Sequence, residues 1–294
     1  SMTNNQKPSN LGTSGESADQ GQLFVVATPI GNLEDITQRA LNVLQRVDII
    51  AAEDTRHTNK LLSHFSIKAK VVAVHDHNEK QKASELLSWL EQGLNVALVS
   101  DAGTPLISDP GYAVVNLCRE QGAKVSPIPG ACAAIAAVSC SGLPTDRFQF
   151  IGFTPAKSKA RRDFFVDAFN SGMTSIMYES THRIMASLDD LKAALGDDQK
   201  VVLAKELTKS FETFFSGTVV ELIAFLTEDP ARQKGEIVLL LPGKQASKSE
   251  ISPEAIKLIE LLQSEMPLKK ACGIAADYFG LKKNALYNAM LDHE

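Results

Sequence analysis

The sequence lacks the features of several protein classes. Its 294 residues include only four cysteines, and no two of them form a C-x-x-C pair. This spacing argues against a disulfide scaffold and a structural zinc site, and it predicts buried thiols in a reducing cytosol. No apolar run approaches the roughly 18 residues that cross a bilayer, which excludes a membrane-spanning chain.

The chain also lacks an excess of positive charge. It has 30 basic and 35 acidic side chains and a net charge of −5, which argues against a surface that binds nucleic acid indiscriminately but leaves room for a local basic patch. Hydrophobic residues make up 44% and charged residues 22%. These fractions are typical of globular proteins, and the length predicts about two domains.

The first residues differ from the rest. Residues 1–21 are rich in Ser, Asn, Gln and Gly, and we predict a disordered tail in which Ser1, before Met2, is a remnant of cloning. The tail has no apolar segment of the secretory type, so we expect a cytoplasmic protein.

From residue 22 onward, short apolar segments alternate with segments of helical periodicity. This alternation predicts two α/β domains, 22–137 and 138–243, the first with a mainly parallel sheet. The junction is placed in the small-residue segment Pro127–Ser141. Predicted strands are Leu23–Ala27, Asp48–Ala52, Lys70–Val74, Leu94–Val99, Lys124–Ile128, Phe148–Gly152, Ser175–Tyr178, Val201–Lys205 and Glu236–Leu241. A helix is predicted over Thr55–His64. After a polar linker, 249–294 is predicted to form three helices, Pro253–Gln263, Leu268–Phe279 and Asn284–Leu291, that resemble a helix-turn-helix.

Polar motifs follow three of the predicted strands, at the edge where open α/β sheets bind ligands. They are TPIGN (Thr28–Asn32), AAEDTRHT (Ala51–Thr58) and SDAGTPLISDPG (Ser100–Gly111). Each motif also has a purely structural interpretation, except for the first half of the third. The first could be a simple turn, Asp54 could cap a helix while Arg56 pairs with Glu53, and Asp109 could cap the helix after Pro110.

Further motifs concern metal and RNA. In HDHN (His75–Asn78) no third ligand follows at a recognisable spacing, so we predict no metal site.

The run Ala156–Arg162 carries four cations after a strand end, and the helical tail carries four lysines and Asp277, a net +3. Both regions are candidate phosphate-binding surfaces, although a solvated helix face or a helical hairpin packed on the body would explain them equally well.

Together, the order and wording of the motifs resemble one family, the bacterial 16S rRNA (cytidine) 2′-O-methyltransferases of the tetrapyrrole methylase superfamily. The resemblance covers nearly all of Leu23–Met290. It is carried by TPIGNLEDIT, AAEDTRHT, SDAGTPLISDPGY, SGLPTDRF, ELTKSFE and KGEIVLL. It implies a homodimeric enzyme that binds S-adenosylmethionine in a cleft between the two α/β domains and methylates cytidine 1402 of 16S rRNA in the 30S subunit.

The resemblance also implies roles for individual residues. The predicted cofactor-binding residues are Pro29, Asp101, Gly103, Thr104, Pro105, Gly130, Ala131, Tyr178, Glu206 and Leu207. By residue type, the candidates for a catalytic base are Asp54, His57 and Glu206, with Asp101 also suitable, and the sequence does not choose among them. From the local concentration of positive charge, the predicted RNA-binding residues are Arg56, Lys157, Lys159, Arg161, Arg162, Lys269, Lys270, Lys282 and Lys283.

The predicted reaction suits this assignment. A sulfonium methyl group is already activated, so the protein mainly has to hold donor and ribose hydroxyl in line, an effect worth up to about 7–11 kcal/mol. A base would add roughly 10²–10⁴-fold. Two alternatives stay open at the level of sequence. A tetrapyrrole methyltransferase would have no need of the basic segments, and a non-enzymatic RNA-binding protein would leave the strand-end loops without a purpose.

Overall fold

The computed structural model describes residues 19–245 and 251–292, so the predicted disordered tail lies almost wholly outside the described residues. The chain divides into two compact units, one ending at Gly243 and the other beginning at Lys244. No helix in these two ranges combines the length and the apolar character needed to cross a membrane.

The first unit begins with a five-stranded parallel sheet of order β3-β2-β4-β1-β5. Its strands are β1 (Leu23–Val26), β2 (Ile49–Ala52), β3 (Lys70–Ala73), β4 (Val96–Val99) and β5 (Val125–Ile128). The inner strands IIAA and VALV are fully buried, because helices cover both faces of a parallel sheet. Ile50 lies in the core on one face and Ile49 in the core on the other.

Four helices connect these strands. They are α1 (Gln38–Arg46), α2 (Thr55–His64), α3 (Glu79–Glu91) and α4 (Tyr112–Glu120). Asp54 caps α2, accepting hydrogen bonds from the backbone N–H groups of Arg56 and His57, as its position predicts. The predicted Asp109 cap of α4 is wrong. The cap residue is Gly111, and Glu79 accepts hydrogen bonds from two backbone N–H groups at this helix start.

The second sheet is mixed, with order β6-β7-β10-β8-β9. Only β6 and β7 pair in parallel, and the other three pairings are antiparallel. Its strands are β6 (Phe148–Phe153), β7 (Thr174–Glu179), β8 (Lys200–Lys205), β9 (Thr213–Thr218) and β10 (Ile237–Leu241). Strand β9 was not predicted, because it is a partly exposed edge strand without a continuous apolar run.

Helices α5 (Ala133–Ser139), α6 (Ser158–Asn170), α7 (Ile184–Leu195) and α8 (Val219–Glu228) accompany this sheet. The predicted boundary between residues 137 and 138 falls inside α5. The small residues Ala134 and Ala137 of this helix pack against β7, β8 and β10, in a cluster that also contains Ile30 of the first half. Residues up to Gly243 thus share one compact unit, and its division into two domains at residue 137 stays a prediction.

The second unit contains α9 (Pro253–Gln263), α10 (Leu268–Phe279) and α11 (Lys283–Asp292). The three helices share an apolar core of their own, with Ile259, Ala275 and Leu286 fully buried. Gly280 ends α10 in the left-handed conformation, at φ 66°, which glycine adopts without steric cost. The three predicted helices are therefore confirmed.

Candidate functional site

The polar motifs after β1, β2 and β4 meet at one edge of the first sheet, because these strands are neighbours in the order β2-β4-β1. A cavity of about 550 Å³ opens there. One wall is the loop after β4, and the other comes from the ends of β7 and β10 in the second sheet. This volume lies within the usual range for small-molecule sites, roughly 300–1,000 Å³.

The loop after β4 is fixed by its own backbone. Gly103 and Thr28 exchange two backbone hydrogen bonds of 3.1 Å, and Thr104 donates its hydroxyl to the carbonyl of Ala131 over 3.0 Å. Gly103 has φ 80°, and a Cβ at this position would lie 3.0 Å from a methyl carbon of Ile30. Glycine is therefore required for the loop to approach β1 this closely.

Acidic side chains concentrate on the wall formed by the first half. Burial, together with the smaller effect of the nearby negative charges of Asp101, Asp109 and Asp76, raises the pKa of Glu53 to about 7. Burial likewise raises the pKa of Asp109 to about 6. Glu53, Asp101 and Asp109 all line the cavity. Such a wall favours a ligand that brings positive charge, because a cation stabilises the ionised carboxylates.

The opposite wall includes Tyr178 and Phe153, whose rings lie edge to face with centroids 5.7 Å apart. The Tyr178 hydroxyl accepts a hydrogen bond of 3.2 Å from the backbone N–H of Ala134. Burial raises the pKa of Tyr178 to about 12, so its hydroxyl stays protonated and can also donate a hydrogen bond to a ligand.

Glu179 is buried beside this wall and its carboxylate is well satisfied. It accepts hydrogen bonds from the hydroxyls of Thr154 and Ser187, and the Nε atom of Arg183 lies 3.5 Å from its Oε1. Buried charges persist when they are paired and hydrogen-bonded in this way. The network orients the chain around Ser180–His182, which lines the cavity.

A second cavity, of about 410 Å³, adjoins the first. The two cavities share wall residues, namely Ile30, Asp101, Ala102 and Glu236. The second cavity is also lined by His57, Lys60 and His64 of α2 and by Lys209. The arrangement provides two adjacent ligand sites, one with an acidic wall and the other with basic side chains.

Glu206 and Lys209 form an ion pair at the edge of the second cavity, with 2.9 Å between the carboxylate Oε2 and Nζ. This hydrogen bond raises the pKa of Lys209. Glu206 has φ 53°, and a Cβ on Gly235 would lie only 1.8 Å from Glu206 Oε1. The carboxylate is therefore packed and paired.

The predicted cofactor-binding residues fall into two groups. Five line one of the two cavities: Pro29, Asp101, Gly103, Thr104 and Tyr178. The other five line neither: Pro105, Gly130, Ala131, Glu206 and Leu207. For Gly130 the structure gives a packing reason, since a Cβ there would lie 2.9 Å from the Cβ of Ala27.

The candidate bases differ in position. His57 lines the second cavity. The Asp54 carboxylate accepts hydrogen bonds from the N–H groups at the start of α2, and Glu206 is paired with Lys209. Asp101 lines both cavities, and its Oδ1 accepts a hydrogen bond of 3.1 Å from the backbone N–H of Asp54.

Of the predicted RNA-binding residues, Arg161 does not present its charge to solvent. Its guanidinium is buried and binds Asp190, with distances of 2.7 and 2.8 Å to Oδ2. The reason is the helical spacing, which turns Arg161 toward α7. The remaining predicted side chains are exposed: Arg56, Lys157, Lys159, Arg162, Lys269, Lys270, Lys282 and Lys283.

Sequence reasoning missed several residues of these cavities. For Glu53 the sequence left open a functional role and an ion pair with Arg56; no such ion pair occurs in residues 19–245, and Glu53 lines the first cavity. Glu236 and Cys132 were not singled out. The run of four polar groups after β2 was the available signal for Glu53. Glu236 lies in KGEIVLL, a motif that carried the family resemblance but no site prediction, and it reaches the cavities because it directly precedes β10, which pairs with β7 in the second sheet.

The pair His75 and His77 lies with ring centroids 5.8 Å apart. Across residues 19–245 and 251–292, no group of three or more His, Cys, Asp or Glu side chains has a geometry that could hold a metal ion.

Comparison with known proteins places these observations in context. The family model of the Tetrapyrrole (Corrin/Porphyrin) Methylases matches residues 22–223, and a model of the RsmI C-terminal HTH domain matches residues 249–294. The chain is 57% identical over 281 residues to Ribosomal RNA small subunit methyltransferase I of Escherichia coli O157:H7, covering 95% of this chain and 98% of the relative. It is 48% identical to the Pseudomonas aeruginosa protein of the same name, covering 93% and 98%.

Solved structures are similar in fold. A crystal structure of diphthine synthase covers 77% of this chain and 92% of its own, with a TM-score of 0.60 and 16% identity. The crystal structure of uroporphyrin-III-C-methyltransferase from Thermus thermophilus aligns with 76% of this chain and 95% of its own, with a TM-score of 0.51 and 20% identity. The predicted fold class is thereby confirmed.

Proposed function

This chain belongs to the tetrapyrrole methylase family, and on that premise we propose that it methylates the ribose 2′-hydroxyl of cytidine 1402 in 16S ribosomal RNA. The chain is an S-adenosylmethionine-dependent methyltransferase of small-subunit ribosomal RNA. The position on the RNA and the ribose hydroxyl are the parts that we propose. The observation that supports them best is the pair of adjacent cavities, which offers separate places for a donor and an acceptor.

The residues of the first cavity fit S-adenosylmethionine. The cofactor carries positive charge on its sulfonium and amino groups, and the cavity presents the carboxylates of Glu53, Asp101 and Asp109. Tyr178 and Phe153 provide an aromatic surface, and the loop at Gly103 provides backbone groups at close range. When bound, the cofactor supplies a methyl group activated by the positive sulfur.

The protein's own contribution is mainly alignment. Asp101 lines both cavities and is suited to hold a hydroxyl or amino group where they meet. His57 lines the second cavity, and of the three candidate bases it alone has a side chain free of a structural partner. We propose that His57 accepts the proton of the ribose hydroxyl, a role to which imidazole is well matched near neutral pH.

RNA contacts and assembly complete the proposal. The exposed cations at Lys157, Lys159 and Arg162, and those of the helical unit, are proposed to bind phosphates of the 30S subunit.

We also propose a homodimer in the cytoplasm. Phe211 is 82% exposed and Tyr112 is 73% exposed, and we propose these two side chains as contacts with the partner. Light scattering at micromolar concentration should give twice the mass of the chain.

The function is tested by incubating the protein with S-adenosylmethionine tritiated at the methyl group. The acceptors are 30S subunits lacking this methylation, naked 16S RNA and a tetrapyrrole. We expect label in ribosomal RNA alone, and mass spectrometry of nuclease digests should locate it on the ribose of cytidine 1402. Label on a base, at another nucleotide or in the tetrapyrrole would refute the proposal. His57→Gln should lower kcat by about 10²-fold or more with little change in cofactor affinity.

A further inference from the structure

One face of α2 presents basic side chains to the second cavity. His57, Lys60 and His64 follow one another at intervals of three and four residues, so they lie on the same side of the helix. All three line the cavity, together with Leu61 of the same helix. Neither Lys60 nor His64 was singled out by the sequence motifs.

The positive charge of Lys60 is available for a ligand. Its side chain is exposed, and within residues 19–245 no carboxylate oxygen lies within 4.0 Å of its nitrogen. Lys209 differs, because Glu206 lies 2.9 Å from it. His64 occupies the last turn of α2, and its imidazole can donate a hydrogen bond to an anion.

Acids and bases are separated between the two cavities. The carboxylates on the second cavity, Asp101 and Glu236, both belong to the wall that it shares with the first. The basic side chains line the second cavity alone. An anion would therefore bind away from the shared wall, while a neutral hydroxyl could lie near Asp101.

We propose that Lys60 and His64 bind the phosphodiester backbone of the RNA strand next to the nucleotide whose ribose is methylated. This inference rests on the proposed function. A ribose within an RNA chain is joined to phosphates on both sides, so a site that receives its hydroxyl must also receive a neighbouring phosphate. The apolar side chains of Pro29, Leu33 and Leu61 on the same cavity provide a surface for the sugar and base.

A different anion is the main rival. The carboxylate of the amino-acid end of S-adenosylmethionine could reach Lys60 if the cofactor extended into the second cavity. The two occupants make opposite predictions, because a phosphate contact affects the RNA substrate and its salt dependence, whereas a carboxylate contact affects the affinity for the cofactor.

The test compares Lys60→Gln, His64→Gln and the double variant with Lys68→Gln. Lys68 is an exposed lysine soon after α2 that lines neither cavity, so its variant removes the same charge elsewhere. Lys60→Arg preserves the charge. For each protein we would measure kcat and KM with 30S subunits at several salt concentrations, RNA binding by filter retention without cofactor, and cofactor binding by calorimetry.

We expect Lys60→Gln to raise KM for 30S subunits about fivefold at 0.1 M salt, the effect of losing one phosphate contact on a single strand. RNA affinity falls as salt rises from 50 to 200 mM, and the factor by which it falls should be about two- to threefold smaller for Lys60→Gln than for the wild type. The double variant should show larger changes in the same direction. Lys60→Arg and Lys68→Gln should resemble the wild type, and cofactor affinity should not change.

Three outcomes would overturn the inference. In the first, Lys60→Gln and the double variant retain the wild-type KM and salt dependence. In the second, their KM and salt dependence change no more than those of Lys68→Gln. In the third, cofactor affinity falls while RNA binding stays unchanged. The last outcome would assign the site to the cofactor carboxylate. Failure of the proposed function would look different, because then the wild type itself would not label 30S subunits.

Discussion

Glu53 should make cofactor binding depend on pH. Its carboxyl group lines the first cavity beside Asp101 and Asp109, and its pKa is raised to about 7. A carboxylate stabilises a cationic ligand only when ionised, so S-adenosylmethionine must bind with release of the Glu53 proton at lower pH. Affinity should therefore fall as pH decreases through 7.

The magnitude follows from the two raised pKa values. At a pKa of about 7, Glu53 is about 9% ionised at pH 6 and about 91% ionised at pH 8, a roughly tenfold difference. Asp109, at about 6, adds about twofold over the same interval. The wild type should lose about 20-fold in affinity between pH 8 and pH 6, and Glu53→Gln only about twofold.

Calorimetry in buffers of different ionisation enthalpy measures both the affinity and the protons released. The titration of the ligand's own amino group affects both proteins equally, so it cancels in the ratio of variant to wild type. S-adenosylhomocysteine, which lacks the sulfonium charge, is the matched ligand control and should show a weaker dependence. If Glu53→Gln kept the wild-type pH profile, Glu53 would not face the positive charge of the cofactor.

Further predictions concern stability and binding. Glu53→Gln should raise the melting temperature at pH 8 but not at pH 4, because a group with a raised pKa binds its proton more tightly in the folded state and costs stability once ionised; equal shifts at both pH values would contradict this. Arg161→Ala should cost about 3–5 kcal/mol in urea unfolding, since it removes the buried cation that contacts Asp190 most closely and leaves this carboxylate only the Ser158 hydroxyl and the exposed Arg162 at 3.7 Å. Arg162→Ala, which removes the exposed partner of Asp190, should cost at most about 1 kcal/mol; similar losses for the two variants would refute the distinction. Asp101→Ala should weaken cofactor binding by about 1.5–3 kcal/mol, and unchanged affinity would remove Asp101 from the site. Ending the chain after residue 248 should leave cofactor binding intact and raise KM for 30S subunits. If the salt dependence of KM stayed unchanged, the helical unit would not bind RNA.

Local patterns in the sequence were sufficient for most elements. Helices α2, α9 and α10 begin and end at the predicted residues, because their caps and apolar periodicity are local features. The inner strands β1, β2 and β4 of the first sheet were also found, since buried parallel strands are continuous apolar runs. Strand β9 was missed because this partly exposed edge strand has no such run.

The site was predicted less completely. Motifs after strand ends indicated the edge of the first sheet at which the cavities open, and Asp101 and Gly103 line the first of them, because positions relative to strand ends can be read along the chain. The shared wall with Glu236 and the basic face of Lys60 and His64 could not be found in that way. They depend on which strands pair and on which side of a helix faces a cavity.

The sequence by itself determined the family, the reaction class and most of the helices and strands, because motif wording and periodicity are properties of neighbouring residues. Only the tertiary structure decided which charged side chains are buried, paired or exposed to a cavity. It buried Arg161 against Asp190, paired Glu206 with Lys209 and left Glu53 in a cavity. The physical reason is that burial and long-range neighbours set the environment of an ionisable group, and residues far apart in sequence provide both.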